Sequence, residues 1–542
     1  MIKNNNPDWW RGAVIYQVYP RSFFDSNNDG IGDLAGITQK LDYIADLNVD
    51  AIWLSPFFTS PMKDFGYDVS NYRDVDPIFG TLSDLDALIA RAHELGIRVM
   101  IDQVMSHTSD QHPWFCESRS NHSNDKADWY IWADGQEDGT PPNNWASVFG
   151  GSAWTWDSNR EQYYLHNFLS SQPDLNFHNP EVVAQVLSDV EFWLQRGIDG
   201  FRLDTANFYF HDAQLRDNPV REEVSEGSIG VRSDNPYAYQ HHVYDKSRPE
   251  NIGFLKDLRA LLDRYPDTTT VGEVGCDNAL ETMASYTNGG DKLHMCYSFD
   301  FLTEQSSPEF IQHTIETMES ILTDGWPCWS IGNHDVARVR TRWGGKDQTE
   351  EQAKMFMFML LTMRGSICLY QGEELGLTEA ELAYKDLVDP YGINFWPSYK
   401  GRDGCRTPMP WLAGVPNAGF SENTPWLPVP AEHHDLAVNQ QEHVANSILS
   451  CYQDFLKWRK ERSALLRGDI VFLPTDNSTL LYTRSYNDEQ LLVAVNMSNA
   501  PVVIEVDQQW KSLPLPSSLP VGELKGNAIH LPAFGVLLCD PS

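Results

Sequence analysis

Eight short apolar runs alternate with helix-like stretches over the first 375 residues, and this alternation constrains the fold more than any other feature of the chain. The runs are VIYQVYP (14–20), DAIWLSP (50–56), RVMIDQV (98–104), DGFRLD (199–204), TTTVGEV (268–274), HMCYSFDF (294–301), CWSIGNHD (328–335) and ICLYQGEE (367–374). Between them, LSDLDALIARAHELGI (82–97) carries apolar residues three and four apart, and PEVVAQVLSDVEFWLQRGI (180–198) opens on Pro and has Gly after Arg196, as helices do. Eight strands separated by helices predict an α/β fold, a (β/α)8 TIM barrel.

Two gaps are too long for simple crossovers. Residues 105–179, rich in Trp, Asn, Gly and Pro, read as an inserted subdomain at the active face, and residues 375–445 are also irregular. A helical segment, 446–466, closes the barrel, and from about 470 the pattern alternates (STLLYTRSY, QLLVAVNMS, APVVIEVD), as in a small antiparallel β domain. The expected division is a barrel of residues 1–106 and 180–466, an insert of 107–179 and a C-terminal β domain of 467–542.

Forty basic against 76 acidic residues give a net charge of −36, which disfavours nucleic acid and anionic membranes as partners. Such acidity fits either a salty medium or an ordinary cytosolic enzyme. No apolar run is long enough to span a bilayer, and the start, MIKNNNPDWWRG, lacks the pattern of a signal peptide. The expectation is a soluble cytoplasmic protein, monomer or homodimer. The eight cysteines show no CxxC or zinc-like spacing and read as buried free thiols.

Asp204, Glu273 and Asp335 each end or nearly end one of the strand-like runs. Barrel chemistry sits at the C-terminal ends of the strands, so the three carboxyl groups are expected to converge. Cleavage of an acetal needs one carboxyl to attack or activate water and another to protonate the leaving oxygen. Arg202, two residues before Asp204, shares its strand face and is expected to keep it ionised, which suits a nucleophile. The apolar run around Glu273 is expected to raise its pKa, which suits a general acid. His334 and His107 supply hydrogen-bonding groups nearby.

Together the motifs DQVMSH (102–107), QPDLN (172–176), GFRLD (200–204), GEV (272–274) and NHD (333–335) resemble, in order, those of the α-amylase family of glycoside hydrolases, and the resemblance covers nearly the whole chain. It implies Asp204 as nucleophile of a retaining double displacement, Glu273 as general acid/base, and Asp335 as the group holding the 2- and 3-hydroxyls, with His107, Arg202 and His334 in the same subsite. Within the family the chain is similar to exo-acting α-glucosidases. FGYDVSNY offers Tyr67 for stacking and Asp68 for a sugar hydroxyl, and GCRTPMPW offers Arg406, so that Asp68 and Arg406 would close the pocket around one terminal glucose. Thr205, after the nucleophile, goes in similar enzymes with α-1,4 rather than α-1,6 linkages. Phe149 and Phe168 would flank the glucose and acceptor subsites, and Asn207, Phe208 and Phe210 would shape the acceptor side.

The implied activity is release of glucose from short maltose-like substrates, with transfer to acceptor alcohols and no cofactor in catalysis. The alternatives are an α-1,6-specific oligo-glucosidase, a sucrose- or trehalose-converting transfer enzyme, and a non-catalytic subunit of the same fold. In DSNNDGIGD (25–33), oxygen ligands alternate at Asp25, Asn27, Asp29, the Ile31 carbonyl and Asp33, and similar glucosidases hold a structural Ca2+ or Mg2+ there. Ser106 stands where the family usually carries the Asn that helps bind a calcium in amylases, so that second calcium site is not expected here.

Overall fold

The computed structural model describes residues 6–222, 231, 235–345, 348–475, 478–516 and 518–541. Eight parallel strands form the central sheet: β1 (Val14–Val18), β2 (Ala51–Leu54), β3 (Arg98–Gln103), β4 (Gly200–Leu203), β5 (Thr269–Val274), β6 (Met295–Ser298), β7 (Cys328–Trp329) and β8 (Ser366–Tyr370). They pair in the order β6-β5-β4-β3-β2-β1-β8-β7, and a parallel bridge between Cys296 and Pro327 joins the two ends into a barrel.

The period of two along each strand divides the core. Ile52, Leu54, Val99, Ile101, Phe201 and Leu203 face outward to the helices, whereas Ile15, Trp53, Met100, Val271, Tyr297 and Cys368 fill the barrel. The helix Leu82–Glu94 starts at a reciprocal cap between Thr81 and Asp84 and buries Leu85, Leu88, Ile89 and Ala92. The helix Pro180–Arg196 is capped by Asn179 and ends at Gly197, whose φ of 99° suits a left-handed cap. At Gly200 a Cβ would lie 2.5 Å from the Thr269 carbonyl oxygen, so the close pairing of β4 with β5 needs glycine there.

Register then sets the site. Asp102 of β3 lies opposite Arg202 of β4, and Glu273 of β5 lies opposite Tyr297 of β6.

Two elements differ from the sequence pattern. Strand β7 is only two residues long, so Asp335 sits on the loop beyond it. That loop turns because Ser330 Oγ donates to the Gly332 carbonyl at 2.7 Å and Asn333 Oδ1 accepts from the Asp335 amide at 2.9 Å. The closing helix divides into Ile448–Arg459 and Ser463–Arg467.

The insert after β3 holds a helix, Pro113–Ser118, and a three-stranded antiparallel sheet of Trp132–Ala133, Trp154–Asp157 and Gln162–Leu165. The C-terminal region forms antiparallel sheets of five and three strands, whose apolar residues, including Leu481, Leu492, Ile504, Ile529 and Leu537, share one core. All eight cysteines are free, and only Cys116 is exposed. Among the described residues no helix is long and apolar enough to cross a membrane.

Candidate active site

A cavity of roughly 120 Å³, open to solvent on one side, lies at the C-terminal end of the barrel strands. Asp204, Glu273 and Asp335 all line it, with Tyr67, His107, Phe149, Phe168 and Thr205 from the sequence-based set. Asp64, Gln172, Phe208, Val231, Phe299, Tyr391 and Arg402 line it as well.

Arg202 is the hub. Its Nη1 donates to Asp204 Oδ1 at 2.8 Å and to Asp102 Oδ1 at 2.8 Å, and its Nη2 is paired with Glu273 Oε1. The Tyr297 hydroxyl accepts from Arg202 Nη2 at 3.0 Å and donates to Glu273 Oε1 at 2.9 Å. One buried guanidinium thus serves three carboxyl groups. This changes the expectation that Arg202 keeps Asp204 ionised. Burial pushes Asp204 up to about 7, and Arg202 offsets this only in part while Asp102 and Asp335 add to it. Burial likewise pushes Glu273 up to about 7 against the pull of Arg202. Both acids therefore lie well above the ordinary carboxyl range, and the negative charge of Asp204 adds to the rise at Glu273.

Asp335 behaves differently. Burial opposes its ionisation, but His334, Arg402 and Arg406 outweigh it and hold the carboxyl well below the usual range. Burial also keeps His334 neutral, so the two guanidinium groups carry the effect. Arg402 Nη1 lies 3.2 Å and Arg406 Nη2 2.9 Å from Asp335 Oδ1. The Tyr67 ring stacks on His334 with an interplanar angle of 4° and a centroid distance of 5.3 Å. Its hydroxyl donates to Asp102 Oδ2 at 2.9 Å and so accepts from His334 Nε2 at 2.5 Å, while Gln17 Nε2 donates to His334 Nδ1 at 2.7 Å.

The end of the pocket needs a correction. Asp68 does not line the cavity; it is fully buried and accepts from Ser60 Oγ at 2.9 Å, the Lys63 amide at 2.9 Å and the Asp64 amide at 3.0 Å. Arg406 also stands behind the wall, donating to Asp335 and to the His334 carbonyl. The lining pair is Asp64 and Arg402, 2.8 Å apart, each four residues upstream of the residue expected. Asp68 turns inward because it closes the hydrogen bonds of the turn that displays Asp64. Asp389 anchors Arg402 from the far side at 2.8 Å.

Aromatic rings form the opposite wall. Phe168 lies 5.7 Å from Phe149 and 5.4 Å from Phe208, and Phe149 lies under the Arg402 guanidinium at 5.0 Å. Asn207 is fully buried and donates to Ser247 and the Gly275 carbonyl, and Phe210 packs on Phe177, so neither faces the cavity. Thr205 has φ of 43°, an uncommon conformation for a β-branched residue, and its amide donates to Glu273 Oε2 at 3.2 Å. Sequence patterns missed Asp64, Asp102, Gln172, Tyr297, Asp389 and Arg402. Asp102 and Tyr297 were visible as polar residues on buried strands, whereas Asp389 lies in an irregular segment that carries no signal.

In the 25–33 loop, Asp25 accepts from the amides of Asn28 (2.7 Å) and Gly30 (2.8 Å), Asn27 from Asp29 (2.9 Å), and Asp29 from Ile31 (2.9 Å). These oxygens suit a hard cation and keep lone pairs free. Asp25 and Asp33 are the most committed: both Asp25 oxygens accept backbone amides, and both Asp33 oxygens are taken, by Ser26 and by the Gly36 amide of the first helix. Among the described residues no three His, Cys, Asp or Glu side chains already converge as metal ligands.

A barrel carrying buried, coupled carboxyl groups at its strand ends is the apparatus of a glycoside hydrolase. Comparison with known proteins agrees. Residues 17–468 match the α-amylase catalytic domain and residues 470–537 the C-terminal domain of maltogenic amylase. The chain is 56% identical over 531 residues to a probable α-glucosidase of Rhizobium meliloti, covering 97% of this chain and 96% of that protein. It is 38% identical to an oligo-1,6-glucosidase of Heyndrickxia coagulans, covering 93% and 95%. Among solved structures, the α-glucosyl transfer enzyme XgtA superposes with a TM-score of 0.97 at 54% identity, covering 98% of this chain and 99% of that one. Trehalulose synthase MutB of Pseudomonas mesoacidophila gives 0.89 at 32%, with the same coverage. The chain belongs to the α-amylase family of glycoside hydrolases and is an enzyme of its α-glucosidase type.

Proposed function

We propose that the chain is an exo-acting, retaining α-glucosidase that releases α-glucose from the non-reducing end of short α-1,4-linked substrates and also transfers glucose to alcohols. The observation that carries this reading is the buried network of Arg402 with Asp64, Asp335 and Asp389, which blocks the cavity beside the acids. A blocked end admits one terminal sugar and excludes mid-chain cleavage.

In this mechanism Asp204 attacks the anomeric carbon as Glu273 gives its proton to the departing oxygen, leaving a β-linked glucosyl ester. Glu273 then takes a proton from water or an alcohol, whose oxygen attacks the same carbon and frees Asp204. Asp335, held ionised, binds sugar hydroxyls and stabilises the positive charge that develops. On the outer side, Phe208, Val231, Phe299 and Val336 give the cavity an apolar lining that favours an alcohol over water as acceptor. Thr205 supports the α-1,4 preference. Initial rates on maltose, isomaltose, sucrose and trehalose test it: maltose should lead, and a preference for isomaltose would assign the α-1,6 alternative.

The 25–33 loop is proposed to take one Ca2+ or Mg2+, with Asp33 exchanging Ser26 for the ion. A chelator should then lower Tm, and an unchanged Tm would assign the loop to its own hydrogen bonds.

A further inference from the structure

Ser106 is buried just beyond β3 and touches none of the three acids directly. Its Oγ lies 2.9 Å from His107 Nδ1 and 3.0 Å from Thr205 Oγ1. Which way these hydrogen bonds run is fixed by the histidine. His107 Nε2 faces the Tyr67 carbonyl at 3.1 Å, an acceptor that needs the ring proton on Nε2. Burial holds the imidazole neutral, at about 4, so Nδ1 must accept. Gln172 Nε2, oriented by Oε1 accepting from Leu169 at 3.0 Å, gives one N–H to Asp64 at 3.1 Å and lies farther from His107 Nε2, at 3.3 Å, than the Tyr67 carbonyl, which can only accept and so keeps the ring proton on Nε2. Ser106 therefore donates to His107 and turns a lone pair to Thr205.

The Thr205 hydroxyl proton then has two acceptors, Ser106 Oγ at 3.0 Å and the nucleophile's Oδ2 at 3.4 Å. We propose that Ser106 is a positioning residue for the nucleophile: by accepting the Thr205 hydroxyl proton, it withholds that proton from Asp204. The inference rests on the glucosidase reading, in which Asp204 attacks. An oxygen relieved of a hydrogen bond is more basic and more nucleophilic. The strained backbone at Thr205 serves this end by holding the hydroxyl between the two acceptors.

The charged groups around Asp204 are Arg202 on its own strand, Asp102 on β3, Glu273 on β5 and Asp335 beyond β7. None contacts Ser106, whose two partners are Thr205 and the neutral His107 ring, so a Ser106 substitution reaches the charge on Asp204 through Thr205, while any change at His107 is independent of Thr205. Without Ser106, the Thr205 hydroxyl can donate only to Asp204, which favours the carboxylate and lowers the pH at which it ionises.

The test is the pH profile of kcat/KM on p-nitrophenyl α-glucoside for wild type, Ser106→Ala, Ser106→Thr, Thr205→Val and the Ser106→Ala/Thr205→Val pair, with Tm recorded for each. Loss of the hydrogen-bond arrangement should lower kcat/KM of Ser106→Ala by about tenfold and move its acid limb to lower pH. Ser106→Thr, which keeps the hydroxyl, should restore both. In the Thr205→Val background, Ser106→Ala should leave the acid limb where it is, because the contested proton is gone, and any residual fall in kcat/KM there measures the lost contact with His107. An unmoved acid limb in Ser106→Ala, or equal effects in both backgrounds, would overturn the proposal. Should Ser106→Ala not fold, Ser106→Cys, a poorer acceptor, takes its place with the same expectations. An inactive wild-type chain would instead remove the glucosidase reading, and the proposal with it.

Discussion

Replacing Arg402 by methionine probes the blocked end of the pocket most severely. The guanidinium is nearly buried and reaches Asp64 Oδ1 (2.8 Å), Asp389 Oδ1 (2.8 Å) and Asp335 Oδ1 (3.2 Å). Asp335 retains Arg406 at 2.9 Å, so the groups left exposed to the loss are Asp64 and Asp389. Burial already raises the Asp64 pKa, and Arg402 is the chief force opposing it. At Asp389, burial is outweighed by Arg402, which holds the carboxyl at about 2. Removing one partner of a buried ion pair costs about 3–5 kcal/mol, because a charge is left unpaired. For a chain of this size that is a fall in Tm of about 3–4 °C. If Asp64 also orients the terminal sugar, kcat/KM on maltose should fall by about two to three orders of magnitude. Adding Asp64→Asn removes one stranded charge, so the double variant should be more stable than Arg402→Met alone. Thermal unfolding and initial-rate assays on wild type and the two variants decide. A single Arg402→Met variant with wild-type Tm and wild-type kcat/KM would refute the reasoning.

Other consequences follow from the same geometry. Asp204 and Glu273 titrate at about 7 in the folded chain, above the ordinary values of about 3.9 and 4.3, so folding takes up protons there. Their contribution to stability is full below about pH 4 and is lost as pH rises through about 7. An Asp204→Asn/Glu273→Gln variant should therefore exceed wild type in Tm at pH 8, and the gap should close toward pH 5. Thr205→Gly should relieve the positive φ and stabilise the fold by up to about 1 kcal/mol in denaturant unfolding, while kcat/KM falls. Glu273→Gln should lose about 10²–10⁴ in kcat/KM on maltose but much less in kcat/KM on a substrate with an acidic leaving group, whose departure needs no proton, while kcat falls on both because the second step loses its base.

The barrel was legible because its strands are continuous apolar runs bounded by helices with clear caps, such as Thr81 and Asn179. The three acids were legible because each lies at or just past the end of such a run. The pocket's blocked end was not, and the error has a definite form. Asp64 and Asp68 are four residues apart around one turn, as are Arg402 and Arg406. A motif marks the turn, but which of its two charged residues faces the cavity depends on backbone hydrogen bonds made only on folding, those from Lys63 and Asp64 to Asp68. Spacing also showed that Arg202 would reach Asp204, but not that it would be shared with Asp102 and Glu273, which requires the register of three neighbouring strands. Ser106 stood out only as a departure, and its contact with Thr205 spans 99 residues of sequence.

The central claim is that Asp204 and Glu273 act in a double displacement on a single terminal glucose. Proton NMR of the first turnovers on an aryl α-glucoside, whose only sugar product is the transferred glucose, tests it most directly, before mutarotation blurs the anomers. The mechanism requires α-glucose as the first sugar released, whereas β-glucose would mean one direct displacement by water and would contradict the roles given to both acids.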